Sequence, residues 1–143
     1  MRCWHKDLIS YLPKNQLCDQ WRECCAIAKN IVKNGTPNHL LVNRIMQYPI
    51  EHFYRYGILV EAEMERRGYK CEKDKFEKWF DKSIITKNFD YINLFQGWHT
   101  HRYLKQCYYN LQEKYDCGGI PEKEWETVQS FIIRQKELLE LLH

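Results

Sequence analysis

The chain has 143 residues, 44% of them hydrophobic and 15% aromatic, which excludes disorder and fits one domain with a real core. No stretch reaches the roughly 18 apolar residues of a membrane span, and Met1 to Asp7 lacks the apolar run of a secretory signal. A net charge of +3 does not announce a polyanionic partner, but its distribution is uneven: Arg2, Lys6, Lys14, Arg22, Lys29, Lys33 and Arg44 meet only Asp7, Asp19 and Glu23 in residues 1–50.

Helical periodicity runs almost throughout and predicts an all-α, single compact domain over 1–143, built from several helices with an N-terminal arm. From Pro13, a stripe of Leu17, Trp21, Cys24, Ala28 and Val32 predicts a long helix ended by Asn34-Gly35. A short helix is expected over His39 to Gln47, stopped by Pro49. Ile50, Phe53, Tyr54, Gly57, Glu61 and Met64 line one side of the next helix, which closes on Arg66-Arg67-Gly68. Asp74 is expected to cap a short helix bearing Phe76, Trp79 and Phe80. Only Ser83 to Thr86 has strand character, too little for a sheet. Leu104, Cys107, Tyr108, Leu111 and Tyr115 predict a helix closed by Gly118-Gly119. Pro121 and the acidic turn after it open a last helix carrying Trp125, Val128, Phe131, Ile132 and Leu138.

Seven cysteines without an export signal point to a reducing compartment, the cytoplasm, with thiols free. Cys24 and Cys25 are adjacent on a helix and poorly disposed to pair, and Cys24 falls on the core face. His99 and His101, with Cys107 and Cys117 downstream, are zinc-type ligands, but the spacing fits no compact zinc motif. Helix capping or phosphate contact is the preferred reading of the two histidines. Tyr108 and Tyr109 cannot both face a core, so one is expected at the surface. Leu138, Leu139, Leu141 and Leu142 form a seam suited to internal packing or to pairing with a second copy.

At 100° per residue, the core stripe of the first long helix covers roughly 80°, with Glu23 about 140° from its centre and Gln16, Asp19, Gln20 and Asn30 beside it. On that geometry alone Glu23 is a solvated carboxylate. The surrounding run Gln20-Trp21-Arg22-Glu23-Cys24-Cys25-Ala26, however, resembles the active-site helix of the pyrimidine dimer DNA glycosylase family. The likeness extends to Met1-Arg2-x-Trp4-His5, Tyr11-Leu12-Pro13 and Gln16-Leu17, and then to Leu59-Val60, Met64 and Arg67-Gly68-Tyr69-Lys70. It spans about residues 1–70 and follows the bacterial more than the phage branch. Trp21 stands where the bacterial branch tends to have His, and Ala26 where the phage branch carries Arg.

The resemblance implies a DNA glycosylase with abasic-site lyase activity on damaged pyrimidines, with the α-amine of Met1 as imine-forming nucleophile. α-Amines titrate near 7.7–8.0, well below lysine, so a useful fraction is free at neutral pH. It also implies Glu23 as acid–base and electrostatic stabiliser, with Arg2, Arg22, Gln16, His5 and Lys14 as DNA-binding residues. Damaged double-stranded DNA is the implied partner of a monomeric enzyme that uses no metal and no cofactor. Trp4 is expected to anchor the arm rather than to touch DNA. The basic aromatic tail of the phage branch has its nearest counterpart in Lys105-Gln106-Cys107-Tyr108-Tyr109. A non-catalytic helical DNA-binding protein on the same scaffold is the alternative, and a zinc-stabilised adaptor the third reading.

Overall fold

A computed structural model describes residues 1–141, without the side chains of residues 139–141. The described residues form five α-helices joined by 3₁₀ turns, with no strand among them. The helices are α1 (Lys14–Asn34), α2 (Ile50–Arg66), α3 (Asp74–Glu77), α4 (His101–Asp116) and α5 (Glu122–Leu141). No described helix is long and apolar enough to cross a membrane.

Helix α1 begins behind Pro13, which needs no amide proton there, and ends at Gly35, whose φ of 76° suits a residue without Cβ. Its buried face is Leu17, Gln20, Trp21, Cys24, Ile27 and Ala28. Val32, expected in the core, is 57% exposed, because the stripe drifts round the helix and Ile27 and Ile31 turn inward instead. Gln20, expected beside Glu23 in solvent, is 1% exposed.

Helix α2 packs against α1 and buries Phe53, Tyr56, Gly57, Val60, Glu61 and Met64. Gly57 is a point of close approach: a Cβ there would overlap the ring of Phe76 from α3. The Phe76 ring also meets Phe53 edge-on at 5.6 Å and Trp21 at 5.8 Å, tying α1, α2 and α3 together. Asp74 opens α3 without capping it, the N-cap being Lys73, whose side chain makes no capping bond.

The segment predicted as a helix from His39 is helical only as a 3₁₀ turn over Asn43–Gln47, with Val42 and Ile45 inserted into the core. The strand-like Ser83 region is also a 3₁₀ turn, Lys82–Ile84. Phe95 lies in the left-handed region at φ 51°. Its buried ring among Tyr48, Tyr56, Trp98 and His99 holds it there, and its amide donates to His52 Nδ1 at 3.0 Å.

Thr100, rather than either neighbouring histidine, caps α4, its Oγ1 accepting from Tyr103 N at 3.3 Å. Tyr108 stacks on Trp125 of α5 at 5.4 Å, leaving Tyr109 58% exposed. All seven cysteines are free thiols, and Cys24 is fully buried. Leu138 is exposed; the rest of the leucine seam, the side chains of Leu139 and Leu141 and the whole of Leu142, lies outside the described residues.

Candidate active site

The first residues run extended across α1 before the 3₁₀ turn Lys6–Tyr11, and their backbone is pinned at successive positions. Arg2 N donates to Glu23 Oε2 at 3.5 Å. The Cys3 carbonyl accepts from the Tyr103 hydroxyl at 2.6 Å. Trp4 N donates to Gln20 Oε1 at 2.8 Å, and the Trp4 carbonyl accepts from the Tyr56 hydroxyl at 2.6 Å. That hydroxyl also lies 2.9 Å from Gln20 Oε1. Cys3, Trp4 and His5 are all buried, so these bonds form in a water-poor interior where an unmade one is costly.

Gln20 and Glu23 stand one turn apart on α1, both facing the arm. The inner one holds the backbone at Trp4. The outer one meets the chain start: the Met1 α-nitrogen is 4.0 Å from Glu23 Oε1. The Glu23 side chain remains 29% exposed, open to a substrate.

Around this pair is a cleft of about 250 Å³ lined by Met1, Arg2, Trp4, Gln16, Asp19 and Glu23 from the arm and α1. Leu41, Asn110 and Lys114 complete it from the opposite side. A broader groove of about 690 Å³ shares Arg2, Leu41 and Asn110 with the cleft and adds Arg44, Arg102 and Gln106. Arginines from three separate segments therefore face one continuous depression.

Of the residues named from sequence, Met1, Glu23, Arg2 and Gln16 come together in the cleft. Arg22 lies on the exposed flank of α1, ion-paired with Asp19, which itself reaches the cleft wall. Lys14 stands apart from the cleft, its ammonium 5.4 Å from the Tyr69 ring centre and its backbone amide bonded to Glu124. His5 is 3% exposed and has no face toward the groove. It stacks on His99 at 5.1 Å, and its Nδ1 accepts from Asp7 N at 3.1 Å. Its position is that of an arm anchor, because burial of the ring leaves no edge for a phosphate.

His99 extends the same anchor: its Nδ1 accepts the Lys6 amide proton at 3.0 Å. Burial, helped by His5, Lys6 and Arg44, holds the His99 imidazole well below the ordinary histidine range. Burial also lowers His5. The Lys6 ammonium in turn takes up the carbonyls of Tyr91, Ile92 and Leu94 at 2.9–3.0 Å.

Gln20, Tyr56 and Tyr103 as arm anchors, and Arg44, Arg102, Asn110 and Lys114 as residues of the groove or the cleft, were not legible in the sequence. The one available signal was Asn110 and Lys114 at i,i+4 on the polar face of their helix. Of the run proposed in place of a basic tail, only Gln106 reaches the broad groove. Lys105, Tyr108 and Tyr109 line a separate hollow between α4 and α5, and Cys107 is buried. Among the described residues no three His, Cys, Asp or Glu side chains cluster as metal ligands would.

An all-α protein with its N-terminal amine beside a helix-borne carboxylate, at the edge of an arginine-lined groove, is the class these features define. The pyrimidine dimer DNA glycosylase description matches residues 1–77, more than half of the chain, and the chain belongs to that family. The match covers the arm and α1 to α3, and so includes both Met1 and Glu23. The family implies a DNA glycosylase of DNA repair that binds damaged DNA. No curated protein and no solved structure matches the chain.

Proposed function

We propose that the protein is a glycosylase with associated abasic-site lyase activity on pyrimidine dimers in double-stranded DNA, using the Met1 amine as nucleophile and Glu23 as acid–base group. The observation that carries this reading is the 4.0 Å approach of the Met1 nitrogen to Glu23 Oε1. An amine kept that close to a carboxylate has a proton acceptor and a counter-charge for every cation on the path.

The neutral amine attacks C1′ of the damaged nucleotide, the C1′–N1 bond breaks, and the base departs with the bonding pair. Glu23 takes one proton from the nitrogen and delivers it to O4′ as the sugar ring opens at C1′–O4′, and a protonated imine joins Met1 to C1′. Glu23 carboxylate balances that positive charge and takes the proton from C2′. The freed electron pair forms the C2′–C3′ double bond and expels the 3′ phosphate. Water then hydrolyses the imine and returns the amine.

The arm anchors serve this chemistry by fixing the amine before substrate arrives. Four backbone groups within residues 2–4 are bonded to Glu23, Tyr103, Gln20 and Tyr56, so little freedom is left to lose on reaching the transition state. Arg2, Arg44 and Arg102 supply phosphate contacts along the groove, and Arg22 adds a cation on the flank of α1, beside the Asp19 that lines the cleft.

The test is borohydride trapping on duplexes holding an abasic site or a pyrimidine dimer. A covalent adduct whose peptide map leads to Met1, lost when the amine is acetylated, is expected. A protein that traps neither duplex at neutral pH overturns the proposal, and DNA binding without trapping supports a non-catalytic scaffold.

A further inference from the structure

The turn before the 3₁₀ segment Asn43–Gln47 presents two adjacent leucines to solvent: Leu40 is 88% exposed and Leu41 49%. This loop is well tied. Asn38 N bonds to Thr36 Oγ1 at 3.1 Å, His39 N to Asn43 Oδ1 at 3.0 Å and Leu41 N to His39 Nδ1 at 3.3 Å. The His39 carbonyl accepts from both Val42 N and Asn43 N, and Val42 is fully buried just behind. The leucine side chains therefore stand exposed on a tip braced by backbone and polar bonds.

Their location is specific. Both line the broad groove, and Leu41 also borders the cleft that holds Met1 and Glu23. Arg2, Arg44 and Arg102 share that groove, so a polyanion seated on them lies directly against the leucine pair. Charge complementarity thus selects a nucleic-acid backbone as the occupant, and the apolar tip meets what lies between the two strands' phosphates.

We infer that Leu40 and Leu41 form a wedge that enters the base stack of the duplex beside the lesion. Aliphatic side chains inserted at a base step unstack it and bend the duplex, which helps bring C1′ of a damaged nucleotide out to a recessed amine. A damaged site yields most readily, so the wedge adds selectivity to the phosphate contacts, which are blind to sequence and lesion. The inference rests on the glycosylase reading for its substrate but assigns a separate task to separate residues.

The experiment uses the full chain and a duplex with a tetrahydrofuran abasic analogue flanked by 2-aminopurine, whose fluorescence rises on unstacking. Wild-type protein is expected to raise the signal severalfold. The Leu40→Ala/Leu41→Ala double variant is expected to lose most of that rise and to prefer abasic over intact duplex about tenfold less. Leu40→Met with Leu41→Met restores both, because an aliphatic chain of similar length still fills the step. Both side chains are exposed, and an unchanged melting temperature verifies the fold. A double alanine variant that unstacks the reporter as well as wild type overturns the wedge, even if borohydride trapping succeeds. A wild-type dimer in sedimentation that the double variant dissolves also overturns it, by assigning the leucines to a second copy. Failure of wild-type protein to bind either duplex overturns both the wedge and the glycosylase reading.

Discussion

Gln20 Oε1 receives the Trp4 amide proton at 2.8 Å in the interior, one helical turn from the carboxylate beside the chain start. An apolar contact would not register the arm along its own axis; a hydrogen bond of this kind does. Replacing Gln20 by Leu leaves a buried N–H without its acceptor and frees the Tyr56 hydroxyl from one neighbour. The expected cost is about 1–3 kcal/mol of stability. Denaturant unfolding measures that, while single-turnover cleavage at a temperature where the variant is folded is expected to fall more than tenfold as the amine loses its register.

Glu23→Gln keeps the size and the hydrogen-bonding capacity of the side chain but removes its charge and basicity. Binding to an abasic duplex is expected to stay within about threefold of wild type, while strand cleavage falls at least 100-fold, roughly the worth of a general base. Gel-shift and cleavage assays on the same duplex separate the two. Retained cleavage removes Glu23 from the mechanism.

Arg44 and Arg102 reach the groove from separate segments, one ahead of α2 and the other in the first turn of α4. If each neutralises a phosphate, Arg44→Gln and Arg102→Gln each shrink the slope of log affinity against log salt by about 0.9. Binding titrations across a salt series measure it. Lys14→Gln, remote from the groove, is expected to leave the slope unchanged.

The His5–His99 stack makes the arm acid-sensitive. Both imidazoles are held below the ordinary 6.5, so the unfolded chain takes up protons before the folded one does. Their contribution to stability is complete above about pH 6.5 and declines as pH falls below it. Asp7 beside His5 opposes the shift there, whereas Lys6 and Arg44 reinforce it at His99. Melting temperature is expected to drop between pH 6.5 and 5. His99→Asn, whose Oδ1 can still accept from Lys6 N, flattens that drop.

Glu61 makes the opposite prediction. Burial, with Glu77 next in weight, raises its carboxyl from 4.5 to about 8, and Oε1 has no partner among the described residues. The unfolded chain releases this proton first, so stability falls as pH rises from about 4.5 to 8. Glu61→Gln is expected to be more stable than wild type at pH 8.5, on the order of 1–3 kcal/mol, and equal to it near pH 4. Calorimetry at the two pH values checks both signs.

The helical class, the limits of α1 at Pro13 and Gly35 and the end of α2 near Gly68 were all written locally, in apolar period and in residues that stop or start a helix. The grouping of Met1, Arg2, Gln16 and Glu23 was also legible, but only through a family likeness, since helical geometry alone makes Glu23 an ordinary surface carboxylate. Tertiary structure decided the rest. Gln20 looks polar and solvent-facing on a helical wheel, and becomes buried because an extended arm lies over that face and brings an N–H for it to satisfy. His5 looks like a phosphate ligand by its nearness to Met1, and becomes core because His99, 94 residues later, stacks on it. The arginine groove unites residues from three remote segments, and no local period records which helix faces come to lie across from one another. Backbone propensity is a property of neighbours in the chain, whereas a site is a property of neighbours in space.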